Sequence, residues 1–258
     1  MGAAFAAGLL DAGFEGGDLA VAEVDAERRH DLEGRFVGVR VVPSAAWAVA
    51  DADVVVVCLK PADVADARAA AGAALGADAL VLSIAAGVTI AALEAAAPGR
   101  PVVRAMPNTP ATIGLGAAAI AAGSHANDGH LDLAEQLLRS LGLVVRLPEH
   151  LLDAVTGLSG SGPAYLFLVA EALVEAGVLV GLPRGVATQL VNQTLLGAST
   201  LLARGDEGPE ALRAAVTSPG GTTAAGLRSL EAAGVRSAFI DAVVAATKRS
   251  TELGNPTG

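Results

Sequence analysis

Short, unbroken apolar runs recur along the first part of the chain, separated by stretches with the spacing of one helical face. The runs are Leu19–Glu23, Val39–Val42, Asp53–Leu59, Ala79–Ile84, Val102–Met106 and Leu143–Leu147. Val54-Val55-Val56-Val57 shows no polar alternation, as expected of a strand covered on both faces by helices. The intervening stretches, Ala26–Glu33, Ala45–Ala50, Ala62–Leu75, Thr89–Ala96 and Asn127–Leu141, predict helices. Strands alternating with helices predict an α/β fold with a doubly wound parallel sheet, to which Gly114–Ala122 adds a further strand. The start of the pattern is irregular. A helix over Gly2–Ala12 ends at Gly13 with no strand before it, whereas doubly wound sheets begin on a strand that lies in the middle. The expected sheet therefore lacks its first strand and the following turn, on the order of ten residues at ~3.3 Å per strand residue.

After His150 the strand signal stops. Helices are predicted over Leu151–Thr156, Ala164–Val180, Arg184–Ala203, Pro209–Val216, Thr222–Ala233 and Arg236–Leu253. Pro163 suits a first helical turn, and Gly234 suits the residue just past a helix end. The helix around Tyr165-Leu166-Phe167-Leu168-Val169 is apolar on every side, so it must be covered all round, in a bundle or a subunit interface. The chain thus divides into a sheet domain over residues 1–149 and an all-helical domain over 150–258.

Composition narrows the partners. The 258 residues are 53% hydrophobic and 17% charged, which excludes a disordered chain. A net charge of −10 argues against nucleic acid and anionic membrane. Mean hydropathy is high, +0.54, with alanine the commonest of the apolar residues. The longest plain apolar stretch, Ala79–Leu93, is too short to span a bilayer, and Gly-Ser-Gly-Pro interrupts Ala154–Ala170, so no membrane span is expected. With no basic region at the N-terminus and a single cysteine, Cys58, a reducing compartment and a cytoplasmic location are expected. His30, His125, His130 and His150 share no metal-ligand spacing, so no metal site is expected.

Candidate chemistry gathers at strand ends and at one helix start. Cys58-Leu59-Lys60-Pro61, Ser83-Ile84-Ala85-Ala86-Gly87 and Met106-Pro107-Asn108-Thr109-Pro110 close successive strands at their carboxyl ends, where doubly wound sheets bind ligands. Cys58 itself reads as a small core residue. Thr217-Ser218-Pro219-Gly220-Gly221-Thr222-Thr223 opens a helix whose N–H groups attract an anion. Thr222 or Thr223 either caps that helix or points a hydroxyl into a site; the plain alternative is a Ser-Pro-Gly-Gly turn. Leu158-Ser159-Gly160-Ser161-Gly162-Pro163 lacks the Lys-Ser/Thr of a phosphate loop and reads as a hinge or a close helix contact.

These motifs, with Arg104–Pro110 and Asp153-Ala154-Val155-Thr156-Gly157-Leu158-Ser159-Gly160-Ser161-Gly162-Pro163-Ala164-Tyr165, occur in one order over nearly the whole chain. Together they resemble the pyrroline-5-carboxylate reductases, the last enzymes of proline synthesis. The resemblance implies hydride transfer from NADPH or NADH to the C=N carbon of a cyclic imino acid. It implies a Rossmann-like dinucleotide-binding domain followed by a helical dimerisation domain. The active site would lie between the first domain of one subunit and helices of its partner, in homodimers that often assemble into decamers. Carried over by position, Gly2, Glu23, Cys58, Leu59, Lys60, Pro61, Ser83, Ile84, Ala85, Ala86 and Asn108 would line the cofactor. Glu149, Ser218, Gly220, Gly221, Thr222 and Thr223 would hold the substrate, and the Thr223 hydroxyl would meet the imine nitrogen.

Three departures from the family pattern bear on the cofactor. Of the Gly-x-Gly-x-Met-Gly fingerprint only Met1 and Gly2 remain. Glu23-Val24-Asp25 puts carboxylates where many relatives accommodate a 2′-phosphate, which favours NAD over strict NADP use. Ala45 replaces an adenosine-side Asn. The readings left beside reduction of pyrroline-5-carboxylate are an oligomerising relative with an impaired cofactor site and an imine or β-hydroxyacid-type reductase with another substrate.

Overall fold

The computed structural model describes residues 1–60, 63–71 and 74–254, so Pro61 lies outside the described residues. The chain forms two compact units, Met1–Ser161 with Ala245–Gly258, and Gly162–Val244. In the first unit the order is α1 (Gly2–Asp11), β1 (Ala20–Ala22), α2 (Ala26–Arg35), β2 (Arg40–Val42), α3 (Ala45–Val49), β3 (Val54–Val57), α4 (Val64–Ala71), β4 (Leu80–Ser83) and α5 (Ile90–Ala96). Then come β5 (Val102–Met106), β6 (Gly116–Ala122), α6 (Asp128–Arg139), β7 (Gly142–Arg146) and α7 (Leu152–Val155). The alternation read from the apolar runs is therefore the alternation of the fold.

The strands form two sheets. β1 and β2 make a separate parallel pair, and the other sheet runs β3-β4-β5-β6-β7. No described strand lies between β1 and β3. Helix α1 packs on both sheets: Phe5 and Leu9 join a core with Leu80, Leu82 and Val103, while Ala6 joins Leu32, Phe36 and Val39. As the edge of its sheet, β3 keeps all four valines half-exposed, where the sequence predicts burial on both faces.

A second difference concerns direction. β6 runs antiparallel to β5, pairing Val103 with Ala122 and Met106 with Ala119. A parallel return needs a crossover of about a dozen residues or more. Only residues 107–115, with a tight 3₁₀ turn at Thr109–Ile113, separate the two strands. β6 and β7, joined through α6, are parallel again.

Where β7 begins, Gly142 pairs with Gly116 at φ +139°. A Cβ on Gly142 would run into the Gly116 carbonyl oxygen. Gly142→Ala is expected to lower Tm by about 4–12 °C, since strain at such a φ costs on the order of 1–3 kcal/mol before the clash is added. Thermal denaturation followed by circular dichroism checks this. Gly99→Ala, also at positive φ but with open space around the added methyl, should cost less.

The second unit contains α8 (Gly162–Leu179), α9 (Arg184–Arg204), α10 (Pro209–Ala215), α11 (Thr222–Ala232) and the first part of α12 (Val235–Gly254). α8 and α9 pack where Gly177 meets Ala187. Among their described residues α8 buries only Val174 and α9 only Ala187. Leu166, Phe167 and Leu168 are 54%, 65% and 65% exposed. The Gly-Ser-Gly-Pro segment interrupts the regular α-helix: α7 ends at Val155, α8 begins at Gly162, and the two units divide between Ser161 and Gly162. Thr156–Gly160 forms a π-turn, closed by the Ser161 N–H on the Thr156 carbonyl at 2.8 Å. By length and composition the helical stretch Glu149–Leu179, which contains an 18-residue window of mean hydropathy 1.5, could cross a membrane.

Candidate functional site

Because β3, β4 and β5 are parallel neighbours, Cys58–Lys60, Ser83–Gly87 and Met106–Asn108 all emerge at one carboxyl edge of the sheet. The start of α1 is there too: a Cβ on Gly2 would lie 3.2 Å from Cys58 Cβ. Burial pushes the Cys58 thiol up to about 11, opposed by the nearby N-terminal ammonium. The thiol is thus neutral at pH 7, a packing group and not a nucleophile. Leu59 and Lys60 are exposed.

Ser83 is fully buried, and its Oγ accepts the Ala85 N–H at 3.3 Å. That bond makes the turn after β4 tight. Ile84 and Ala85 are buried as well, which leaves Ala86 as the exposed member of the loop. Gly87 then takes φ +75°, with Leu253 packed beside it. The edge can thus offer a dinucleotide backbone groups, a small surface at Ala86 and the Lys60 cation. Helix α1 adds a first turn whose N–H groups have no side-chain cap, a seat suited to a pyrophosphate.

Asn108 is half-buried and occupied at both ends of its amide. Its Oδ1 accepts from Ala117 N at 2.9 Å, and its Nδ2 donates to the Ser159 carbonyl at 3.0 Å. The residue four positions after Ser159 is Pro163, which has no N–H to give, so Asn108 supplies the donor that the helix lacks. Glu149 is also occupied. One oxygen, Oε1, accepts from Arg104 Nη1 at 2.9 Å and from Ile90 N at 2.7 Å.

At the end of β1, Glu23 folds back so that its carboxylate accepts the Asp25 N–H at 3.0 Å. Asp25 caps α2 through Arg28 N at 2.8 Å. Arg29, which carried no role in the sequence reading, pins this loop by donating to the Glu23 and Val24 carbonyls at 2.9 and 2.7 Å. The only advance sign of it was a basic residue in the first turn of a helix after an acidic strand end.

The remaining candidates, Ser218, Gly220, Gly221, Thr222 and Thr223, lie in the second unit at the start of α11. Gly220 takes φ +70°, and Gly221, not a threonine, occupies the N-cap, so no side chain caps this helix. Thr222 and Thr223 fall inside the first turn and are exposed. Their hydroxyls make no hydrogen bond among the described residues. Free N–H groups beside two free hydroxyls suit a small carboxylate that also needs a proton donor.

Loops gathered at the carboxyl edge of a largely parallel sheet beside the start of α1, with an all-helical unit following, are the arrangement of a Rossmann-like fold. Residues 1–87 match the family model "NADP oxidoreductase coenzyme F420-dependent", and residues 149–253 match "Pyrroline-5-carboxylate reductase dimerisation". The chain is 46% identical over 238 residues to the pyrroline-5-carboxylate reductase of Synechocystis, covering 92% of this chain and 88% of that one. It is 46% identical over 277 aligned positions to that of Mycobacterium tuberculosis, covering 98% and 93%. The solved pyrroline-5-carboxylate reductase of Coxiella burnetii superposes with a TM-score of 0.90 at 33% identity, covering 98% and 94%. The Plasmodium falciparum enzyme, solved with NADP bound, superposes with a TM-score of 0.86 at 28% identity, covering 99% and 95%. The chain belongs to the pyrroline-5-carboxylate reductase family.

Proposed function

We propose that this chain reduces 1-pyrroline-5-carboxylate to L-proline at the expense of NADPH or NADH. The observation that carries the reading is the start of α11, where no side chain caps the first-turn N–H groups that follow Gly221 and the Thr222 and Thr223 hydroxyls beside them are unbonded. The substrate carboxylate sits on those N–H groups, with Ser218 alongside. When bound, the reduced nicotinamide supplies the hydride. As the imine carbon gains it, the C=N electron pair moves to nitrogen, which carries one proton in the amine product. The Thr223 hydroxyl orients that nitrogen and relays the proton; with an ordinary hydroxyl acidity it does not act as a strong acid. Holding the imine carbon close to the donor accounts for most of the acceleration.

The dinucleotide is held by the Gly2 backbone at the start of α1, by Glu23, by Cys58–Lys60, by the Ser83–Ala86 loop and by the Asn108 strand end. Residues 1–149 form the dinucleotide domain, and 150–258 serve substrate binding and self-association. The exposed apolar faces of α8 and α9 are covered by a second copy rather than by lipid, giving a homodimer and, through further contacts, a decamer. The single cysteine and the acidic surface support a cytoplasmic enzyme.

The test is direct: purified chain, pyrroline-5-carboxylate and each nucleotide, with proline measured by chromatography. Comparable kcat/KM with NADH and NADPH is expected, because Glu23 and Asp25 repel a 2′-phosphate. Glu23→Ser should raise the NADPH-to-NADH ratio about tenfold, about 1.4 kcal/mol of repulsion removed. No proline with either nucleotide, in an intact oligomer, would replace this reading with that of a cofactor-impaired relative.

A further inference from the structure

We propose that Arg104 and Glu149 are positioning residues for the nucleotide, acting through the loop between β4 and α5. The inference rests on the reading above that this loop lines the dinucleotide. Arg104 stands in the middle of β5, opposite Ser83 on β4 and Ala121 on β6, with its side chain only 7% exposed. A guanidinium is an expensive occupant of such a place, where Val102 and Ala121 nearby are apolar. Glu149 compensates it, and the same carboxylate oxygen that takes Arg104 Nη1 also takes the Ile90 N–H.

The geometry makes this more than charge balance. Ile90 is the first residue of α5, and the loop from Ile84 to Thr89 is thus tied at both ends. Ser83 Oγ holds Ala85 N at the strand side, and Glu149 Oε1 holds Ile90 N at the helix side. Arg104 fixes where that oxygen stands, because β5 is the neighbour of β4 in the sheet. The partners are 45 and 59 residues from Glu149 in sequence, so the tie is tertiary.

Arg104 is buried and Glu149 a third exposed, so replacing both by apolar side chains regains stability, whereas removing Glu149 alone leaves the buried guanidinium uncompensated. This separates positioning from mere support. In the full-length chain, Glu149→Leu is expected to lower Tm by about 10 °C and raise the dinucleotide KM about tenfold, with kcat changed less than about threefold. The double variant Arg104→Met with Glu149→Leu should recover at least half of the lost Tm while the dinucleotide KM stays raised, because nothing then accepts the Ile90 N–H. Glu149→Gln, which keeps an oxygen there, should recover most of the lost KM. A dinucleotide KM that returns to the wild-type value in the double variant would overturn the proposal and leave the pair a structural one. Ala86→Val checks the underlying reading separately. If a larger side chain on that exposed loop position leaves dinucleotide KM unchanged, the loop does not line the cofactor, whatever the pair does.

Discussion

Thr223→Ala is expected to lower kcat on the order of 100-fold, the usual scale for losing a positioned proton-transfer partner. The dinucleotide KM should stay within about twofold, because Thr223 belongs to the α11 start and not to the sheet edge. Unfolding does not explain such a loss. The residue is exposed in the first turn of an 11-residue helix, where a surface substitution typically shifts stability by less than about 0.5 kcal/mol. Thr223→Ser keeps the hydroxyl and should restore most of the rate, while Thr223→Val keeps the shape and should not. Single-turnover kinetics with saturating nucleotide would separate the chemical step from product release. Wild-type turnover in the alanine variant would remove the hydroxyl from the mechanism.

The second large effect is on assembly. Phe167→Glu is expected to dissociate the oligomer. A buried interface aromatic typically carries about 2–4 kcal/mol. In a twofold interface the change counts twice, so the dissociation constant should rise by roughly 10³-fold or more. Phe167 is 65% exposed in one copy and is flanked by the equally exposed Leu166 and Leu168, so its loss should leave the copy's own fold intact. Sedimentation at micromolar concentration reads the result directly. An unchanged oligomer would place the self-association surface elsewhere, and recovery of the wild-type protein only with detergent would point to lipid.

Much of this architecture was legible because its signals are local. The positions of β3, β4 and β5 follow from short apolar runs that end near Cys58, Ser83 and Met106, and parallel order brings their ends to one edge without further information. The direction of β6 was hidden, because an alanine-rich run reads the same either way and only the shortness of the Pro107–Leu115 connection bears on it. The half-exposed Val54–Val57 shows the same limit, since periodicity tells what a strand needs covered and not whether a neighbour is there.

The site was legible at the level of loops and not of bonds. Ser83 and Asn108 lie at the carboxyl edge of the sheet, yet their side chains are spent on Ala85, Ala117 and Ser159, so the exposed member of the loop after β4 is Ala86. The sequence offers Thr222 as a cap, but the backbone enters the helix one residue earlier, at Gly221. Arg104 announced itself only as a cation inside Val102-Val103-Arg104-Ala105-Met106. Its partner lies too far along the chain for any spacing rule to find.

The last turns of α12 are counted with the first unit, where Asp153 accepts hydrogen bonds from Ser250 Oγ at 2.7 Å and Thr251 Oγ1 at 2.9 Å. The polypeptide thus leaves the sheet unit after Ser161 and is fastened back to it less than three turns of helix from its re-entry at Ala245. Gly162–Val244 is thus an excursion from a first unit to which the chain returns at Ala245. Lengthening, shortening or exchanging helices inside that excursion changes how copies meet without asking any strand to shift register.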